Sequence, residues 1–206
     1  MTTLETLLYV FNKFGIDPNT ESPIRLRTFK RYDMAGMFKD LGFTKGAEIG
    51  VYRGEYSEVL CMLNPQLRLY CIDPWKVYKS DDPEPFASDQ KSLDKFCQDA
   101  KKRLSKYNCK IIEDTSMNAI KNFAPESLDF VYIDANHSYK NMKEDLEGWS
   151  KIVRKGGIVS GHDYGHFKHK NLNLGTKKAI DEYVAEHKVK LFLVNRNFQT
   201  SWFFIK

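Results

Sequence analysis

The feature that most constrains the fold is a regular alternation of short apolar runs with helical patterns, which begins near Gly46. Runs rich in Val, Ile, Leu and aromatic residues have the length of buried strands and occupy 47–51, 67–73, 109–114, 128–134, 156–164, 190–195 and 201–206. Helical periodicity separates most of them. Strands that alternate with helices favour βαβ units, so the sequence predicts an α/β fold with a mostly parallel sheet built from these seven runs.

The two ends of the chain depart from this alternation. The last two apolar runs are too close together for a crossover helix, which predicts an antiparallel strand at the C-terminal end of the chain. Before the alternation, apolar residues recur at helical spacing in 4–14, and a second helical pattern covers 28–43. We therefore expect an N-terminal helical extension at 1–44 and one domain at 45–206, because no Pro/Gly/Ser-rich linker divides the chain.

Composition indicates the type of surface, partner and cellular compartment to expect. Lys and Arg total 32 against 27 for Asp and Glu, a formal net charge of +5, but the two signs are interspersed. This pattern is typical of a solvated surface, and a nucleic-acid partner is unlikely. The four cysteines form no C-x-x-C pair, which favours free thiols and a cytoplasmic location. The first fifteen residues are too short and too polar to predict a membrane span.

The end of the first apolar run carries the strongest functional pattern, EIGVYRGEYS. In an open parallel sheet, ligands bind beyond the carboxyl ends of the strands, and Gly50 and Gly54 let a ligand approach the backbone there. Asp73 ends the second run about twenty residues later, where a carboxylate meets the ribose of a bound nucleoside. The glycines do not form G-x-G-x-x-G, which disfavours a dinucleotide. A glycine turn beside an edge acid is the simpler alternative.

EIGVYRGEYS resembles the first motif of class I S-adenosylmethionine-dependent methyltransferases. From about Gly46 onward the chain is most similar to their catechol O-methyltransferase-like and macrocin O-methyltransferase-like branches. The resemblance implies a Rossmann-like three-layer sandwich and S-adenosylmethionine as the cofactor. It also implies cofactor-binding positions along the strand ends: Glu48, Gly50, Tyr52, Gly54, Ser57, Asp73, Trp75, Asp114, Thr115, Ser116 and Asp134.

The resemblance assigns roles to several of these positions. Glu48 helps to hold the methionine amino group through the turn, Gly50 and Gly54 admit the amino-acid part, and Asp73 holds the ribose. The place where adenine is usually bound matches the end of the third run, at Asp114, Thr115 and Ser116, although these residues would also begin a helix well. Trp75 either covers the adenosine or packs in the core.

Three polar residues end the fourth and fifth runs: Asp134, His162 and Asp163. Carboxylates and an imidazole from neighbouring strands suit a divalent metal such as Mg²⁺, Mn²⁺, Fe²⁺ or Zn²⁺. A metal would lower the pKa of an acceptor hydroxyl and orient its oxygen. The similar families usually carry an acidic residue where His162 stands, which also leaves a metal-free site open. As alternatives, Asp134 caps the next helix and GHDY forms a hydrogen-bonded turn.

His137 follows Asp134 by three residues and is the predicted base. Its ordinary pKa of about 6.5 suits proton transfer at neutral pH, although a surface histidine is the alternative interpretation. In macrocin O-methyltransferase-like enzymes the Asp-x-x-His pair supplies a metal ligand and the base, whereas catechol-type enzymes carry a Lys at the His137 position. Asp134 and His137 are therefore the predicted catalytic pair.

The predicted function is methyl transfer from S-adenosylmethionine to a hydroxyl of a small-molecule or glycosidic acceptor. An RNA methyltransferase is one alternative, suggested by the basic charge and the lysine-rich stretch 168–178. A non-catalytic nucleoside-binding protein is another, because a fold does not fix a function. The polar segments 76–89 and 164–175 are predicted lids, and homo-oligomerisation stays open.

Overall fold

The computed structural model describes residues 1–77, 89–165, 168–169, 172–173, 175–194 and 200–206. Most of the predicted lid segment 76–89 and part of the segment 164–175 lie outside the described residues. The helices are α1 Thr3–Phe14, α2 Asp33–Asp40, α3 Glu55–Leu63, α4 Gln90–Leu104, α5 Ser116–Ala119, α6 Tyr139–Ile152 and α7 Thr176–His187, and a 3-10 turn at Ile120–Asn122 follows α5. The strands are β1 Ile24–Leu26, β2 Lys45–Ile49, β3 Arg68–Ile72, β4 Cys109–Ile112, β5 Leu128–Ile133, β6 Val153–Gly161, β7 Lys168–His169, β8 Leu172–Asn173, β9 Phe192–Val194 and β10 Ser201–Ile205.

The predicted α/β fold is confirmed. The main sheet has the strand order β1-β9-β10-β6-β5-β2-β3-β4, and β10 runs antiparallel to both of its neighbours, as expected of the C-terminal end. The chain moves outward from β2 to β4 and then returns to place β5 on the other side of β2. The switch point therefore lies between β2 and β5, where ligands bind in such folds. Strands β7 and β8 form a separate antiparallel pair.

The main sheet has eight described strands rather than the predicted seven. The additional strand is β1, which comes from the segment expected to be helical and pairs in parallel with β9 through Ile24 and Phe192. Its three residues are too few to show a period, so the sequence pattern gave no signal for it. Both predicted N-terminal helices are present as α1 and α2. The boundary near residue 44 stays a prediction.

Helices cover both faces of the sheet and make two cores. One core packs α1 to α4 against the sheet and includes Phe38, which stacks on Phe130 with ring centroids 4.2 Å apart. The other packs α5 to α7 around the fully buried Trp149. The four cysteines are free thiols, as predicted. Within the part of the chain that the structure describes, no helix is long and apolar enough to cross a membrane.

Candidate functional site

The ends of β2 and β5 meet in direct backbone contact at the switch point. Gly50 has φ +86°, and a Cβ built on it would overlap the carbonyl oxygen of Asp134. The Asp134 amide also donates to the Ile49 carbonyl at 2.8 Å. Only glycine combines this positive φ with such a close approach. The Gly50 turn therefore allows the carboxyl ends of β2 and β5 to lie in contact.

Glu48 lies beneath this turn and is almost completely buried, with 2% of its surface exposed. Ser57, in the first turns of α3, donates a hydrogen bond from its hydroxyl to the Glu48 carboxyl group. Burial raises the pKa of Glu48 to about 8, because a carboxylate loses its hydration there. The hydrogen bond from Ser57 thus partly compensates the burial of the Glu48 carboxyl group.

Asp73, at the end of β3, braces the glycine turn. One carboxylate oxygen accepts from the amides of Val51 and Tyr52, each at 2.9 Å, and the other accepts from the Trp75 amide at 2.9 Å. Burial raises the pKa of Asp73, although these backbone hydrogen bonds oppose the shift. Trp75 is 3% exposed and donates from its indole to the Tyr52 carbonyl at 2.8 Å. Its ring thus packs in the core, one of the two alternatives considered for it.

The end of β4 is organised by local hydrogen bonds. Asp114 accepts from the Thr115 amide at 2.7 Å, and Thr115 is the residue that precedes α5. Ser116 turns inward, where its hydroxyl donates to the buried Asp145 and accepts from the indole of Trp149 at 2.7 Å. Burial raises the pKa of Asp145 to about 7. These residues begin α5 as the alternative interpretation expects, although the Thr115 side chain makes no capping hydrogen bond, and the adenine-binding role of all three stays a prediction.

The ends of β5 and β6 bring the predicted catalytic and metal residues together. His137 Nε2 lies 2.9 Å from Asp163 Oδ2 and 3.8 Å from Asp134 Oδ1. His162 Nδ1 lies 3.1 Å from Asp163 Oδ1 and 4.0 Å from Asp134 Oδ1. The four side chains are between 11% and 19% exposed. They form one largely buried charged cluster at the rim, the edge of the sheet where the parallel strands have their carboxyl ends.

The charges in this cluster shift the pKa values of its members. Burial alone would lower the pKa of His137, but hydrogen bonds to Asp134 and Asp163 and the charges of both outweigh it and raise the pKa to about 10. Burial would raise the pKa of Asp163, but hydrogen bonds to His137 and His162 and their charges hold it well below its usual range. The cluster thus stabilises an imidazolium beside carboxylates.

Sequence analysis missed one member of the site, Arg31, which lies in the turn between β1 and α2. Its Nη2 lies 2.9 Å from Asp134 Oδ2, and its guanidinium carbon lies over the rings of Tyr56 and Tyr132 at 4.4 and 5.1 Å. Arg31 stands 103 positions before Asp134 in the chain and belongs to no motif. No spacing signal in one sequence could have paired them.

The predicted metal ligands offer suitable donor atoms but are already paired. Asp134, His162 and Asp163 each place one ligand atom within 4.8 Å of the others. However, Asp134 is bound by the guanidinium of Arg31, and His162 and Asp163 lie at hydrogen-bond distance from each other. A permanent positive charge on a ligand carboxylate opposes a dication. In this arrangement the residues do not fit a divalent metal, because Arg31 already neutralises Asp134.

Known proteins share this architecture. A protein of Staphylococcus aureus proposed to be a caffeoyl-CoA O-methyltransferase superposes with a TM-score of 0.63 at 14% identity, covering 100% of this chain and 93% of its own. An O-methyltransferase from Bacillus cereus, solved in complex with SAH, gives 0.64 at 16% identity over 99% and 90%. A protein of Clostridium thermocellum proposed to be an rRNA methylase gives 0.58 at 14% identity over 85% and 94%.

These identities establish a shared fold. No curated protein sequence matches the chain. The family described as "Methyltransferase domain" matches residues 47–164, which is more than half of the chain and includes the glycine turn and the charged cluster. The chain therefore belongs to the methyltransferase domain family.

Proposed function

We propose that the protein transfers a methyl group from S-adenosylmethionine to a hydroxyl of a small-molecule or glycosidic acceptor. The observation that carries this proposal is the junction of β2 and β5, where the Gly50 turn contacts the backbone of Asp134. His137 lies three residues further on, with Nε2 2.9 Å from Asp163. A turn that suits the methyl donor and a proton acceptor thus lie on the same rim.

The turn fits a nucleoside-bearing cofactor. Asp73 keeps the amides of Val51 and Tyr52 in place through Oδ2, and its Oδ1, which accepts from Trp75, retains a lone pair for a ribose hydroxyl. Glu48, already partnered by Ser57, offers a buried carboxyl group for a cationic amino group. When bound, S-adenosylmethionine supplies a methyl group made electrophilic by its sulfonium. The chain's contribution is to orient that group toward the charged cluster and to exclude water from it.

Neutral His137 takes the proton of the acceptor hydroxyl. Because the pKa of His137 is raised to about 10, only a small neutral fraction acts at pH 7, and the rate of methyl transfer should rise with pH up to about 10. An alcohol or phenol is a poor nucleophile while protonated, and proton removal by a positioned base is worth about 10²–10⁴ in rate. Asp163 orients the imidazole at 2.9 Å, and both carboxylates stabilise the imidazolium that forms. The donor-acceptor step needs only that the hydroxyl oxygen lies in line with the methyl group. The acceptor binds between the charged cluster and the N-terminal segment.

Thermal unfolding with S-adenosylhomocysteine tests the proposal. Ligand that binds only the folded state stabilises it by RT ln(1 + [L]/Kd), so we expect the melting temperature to rise steadily with ligand concentration. Adenosine alone should give a smaller rise, since it lacks the amino-acid part. An unchanged melting temperature at millimolar S-adenosylhomocysteine would contradict the proposed cofactor.

Transfer itself is then measured with a donor labelled in its methyl group, against a panel of phenols, sugars and amines. Labelling of hydroxyl acceptors alone supports O-methylation. Labelling confined to amines would replace the acceptor class while leaving the cofactor assignment intact. Retention of the protein on RNA at low salt, with label in the RNA, would instead favour an RNA substrate.

A further inference from the structure

Arg31 is anchored at the site before any ligand arrives. Its backbone carbonyl accepts a hydrogen bond from the Tyr56 hydroxyl at 3.2 Å, and its guanidinium lies over the Tyr56 and Tyr132 rings. These two rings are 4% and 0% exposed, so they form a rigid platform. A guanidinium that stacks on buried aromatic rings keeps one orientation at low entropic cost.

This platform aims the guanidinium at Asp134, the central member of the predicted metal cluster. Nη2 lies 2.9 Å from Oδ2, and the two side chains are only 28% and 19% exposed, which limits screening by water. Arginine does not lose its charge in proteins, so Asp134 always faces a positive charge at this distance. A metal ion would have to approach Asp134 beside a fixed positive charge.

Side-chain contacts also occupy donor atoms of His162 and Asp163, whereas Asp134 Oδ1 lies 3.8 Å from His137 Nε2 and 4.0 Å from His162 Nδ1. His162 Nδ1 lies 3.1 Å from Asp163 Oδ1, and the second oxygen of Asp163 lies 2.9 Å from His137. Binding an ion to His162 Nδ1 and Asp163 would require breaking these contacts, and at Asp134 the ion would lie beside the charge of Arg31. Preformed metal sites instead keep their ligands oriented by outer partners and free toward the ion.

We propose that Arg31 is the resident cation of this site and that it excludes a divalent metal ion from the cluster of Asp134, His162 and Asp163. The exclusion is a property of the folded chain and does not depend on the methyl acceptor. Its consequence, a methyl transfer that needs no metal, rests on the proposed function. The function predicted from sequence included a metal at these three residues, and Arg31 is the reason we leave it out.

The test titrates Mn²⁺ into chelator-treated protein and follows the free-ion signal by electron paramagnetic resonance. We compare the natural chain with Arg31→Gln, which removes the charge and keeps a shorter polar side chain, and with Arg27→Gln, at an exposed arginine of the same segment. We expect Arg31→Gln to bind one Mn²⁺ at least about tenfold more tightly than the natural chain, a shift well outside titration error. Arg27→Gln should behave as the natural chain does, and Arg31→Gln/Asp134→Asn should lose the gained site.

Two results would overturn the proposal: tight binding of one Mn²⁺ by the natural chain that disappears in Asp134→Asn, or no gain of affinity in folded Arg31→Gln. Should Arg31→Gln fail to fold by circular dichroism, Arg31→Lys replaces it. Lysine keeps the charge without the planar fork, so weak Mn²⁺ binding unchanged from the natural chain supports the proposal and tight binding contradicts it. Stabilisation by S-adenosylhomocysteine is measured in parallel, so a wrong cofactor and a wrong role for Arg31 give different results.

Discussion

The two halves of the rim are built in opposite ways. On one side, the turn after β2 is fixed by neutral backbone amides that donate to the single carboxylate of Asp73, and the partners lie 22 positions apart or fewer. On the other, the cluster at the ends of β5 and β6 is assembled from charged side chains and includes Arg31 from 103 positions away. One half depends on local geometry and the other on long-range charge.

This difference indicates a division of labour. A turn made of backbone hydrogen bonds keeps its shape whatever the ionic state of its surroundings, which suits the binding of an invariant cofactor. A charged cluster can exchange a proton and respond to an acceptor, which suits chemistry. Substitutions in the turn should therefore impair binding, and substitutions in the cluster should impair turnover.

The largest effect should follow His137→Ala. Loss of the proton acceptor should slow methyl transfer by about 10²–10⁴-fold, while the affinity for S-adenosylhomocysteine changes by less than about twofold. Single-turnover labelling and calorimetric titration measure the two quantities separately. His187→Ala, at an exposed histidine of α7, is the matched control and should leave both unchanged. Equal losses of rate and cofactor affinity in His137→Ala would contradict the assignment of cofactor binding to the turn and of turnover to the charged cluster.

Gly50→Ala should damage both halves at once, because the added Cβ would overlap the Asp134 backbone and the residue has φ +86°. We expect a loss of about 3 kcal/mol or more in the free energy of unfolding. Urea denaturation measures it. Gly36→Ala on α2, where an added Cβ meets no atom within 4 Å, should be neutral or stabilising by up to about 1 kcal/mol. Similar stabilities for the two variants would show that the strand ends are not packed as described.

Asp73→Asn should separate the turn from the charged cluster. The amide keeps one acceptor oxygen where the carboxylate offers two, so at least one backbone amide loses its partner, at a cost of about 1–3 kcal/mol. S-adenosylhomocysteine affinity should fall by at least about tenfold, which calorimetry detects. Asp114→Asn, whose hydrogen bonds stay within its own turn, should cost under about 1 kcal/mol. A larger loss of affinity in Asp114→Asn than in Asp73→Asn would assign β4 the dominant binding role.

The smallest effect concerns Asp145, whose pKa in the folded chain is raised to about 7 by burial. Because the native state binds this proton more tightly than the unfolded chain, its stabilising contribution is complete below about pH 4 and is lost as the pH rises through 7. Asp145→Asn should therefore lose less stability between pH 5 and pH 8 than the natural chain, by on the order of 1 kcal/mol in urea denaturation.

Glu186→Gln, at an exposed acid of α7, is the control and should keep the pH dependence of the natural chain. Parallel pH profiles for Asp145→Asn and the natural chain would mean that Asp145 is not protonated behind Ser116. Ser116 would then donate to an ionised carboxylate, a charge-assisted hydrogen bond that is stronger than one to a neutral carboxyl group.

Sequence predicted the parts of the site whose signal is local. The apolar runs end where strands end, so Gly50, Asp73 and Asp134 were placed on one edge by counting along the chain. The Asp-x-x-His spacing likewise put His137 beside Asp134, and the structure brings both together with Asp163. Position at a strand end was sufficient because parallel strands align their carboxyl ends.

Sequence could not predict the parts that depend on packing between distant segments. β1 is too short to show periodicity, and Arg31 reaches Asp134 only because β1 and α2 are packed onto the sheet. The hydrogen bond from the Ser116 hydroxyl to Asp145 on α6 likewise has no signal in the sequence. Side-chain direction and charge pairing over 103 positions carry no period or spacing that one sequence displays.

The pairing of β1 with β9 has a consequence for the order in which the site forms during synthesis. Arg31 follows β1 closely, yet β1 gains its sheet partner only when residues 192–194 have been made. The three backbone hydrogen bonds that Asp73 accepts in and after the glycine turn, in contrast, need no residue beyond Trp75. We therefore expect a nascent chain to form the Asp73 hydrogen bonds early and the Arg31–Asp134 ion pair late. The late step depends on β1, which cannot pair until β9 has been synthesised.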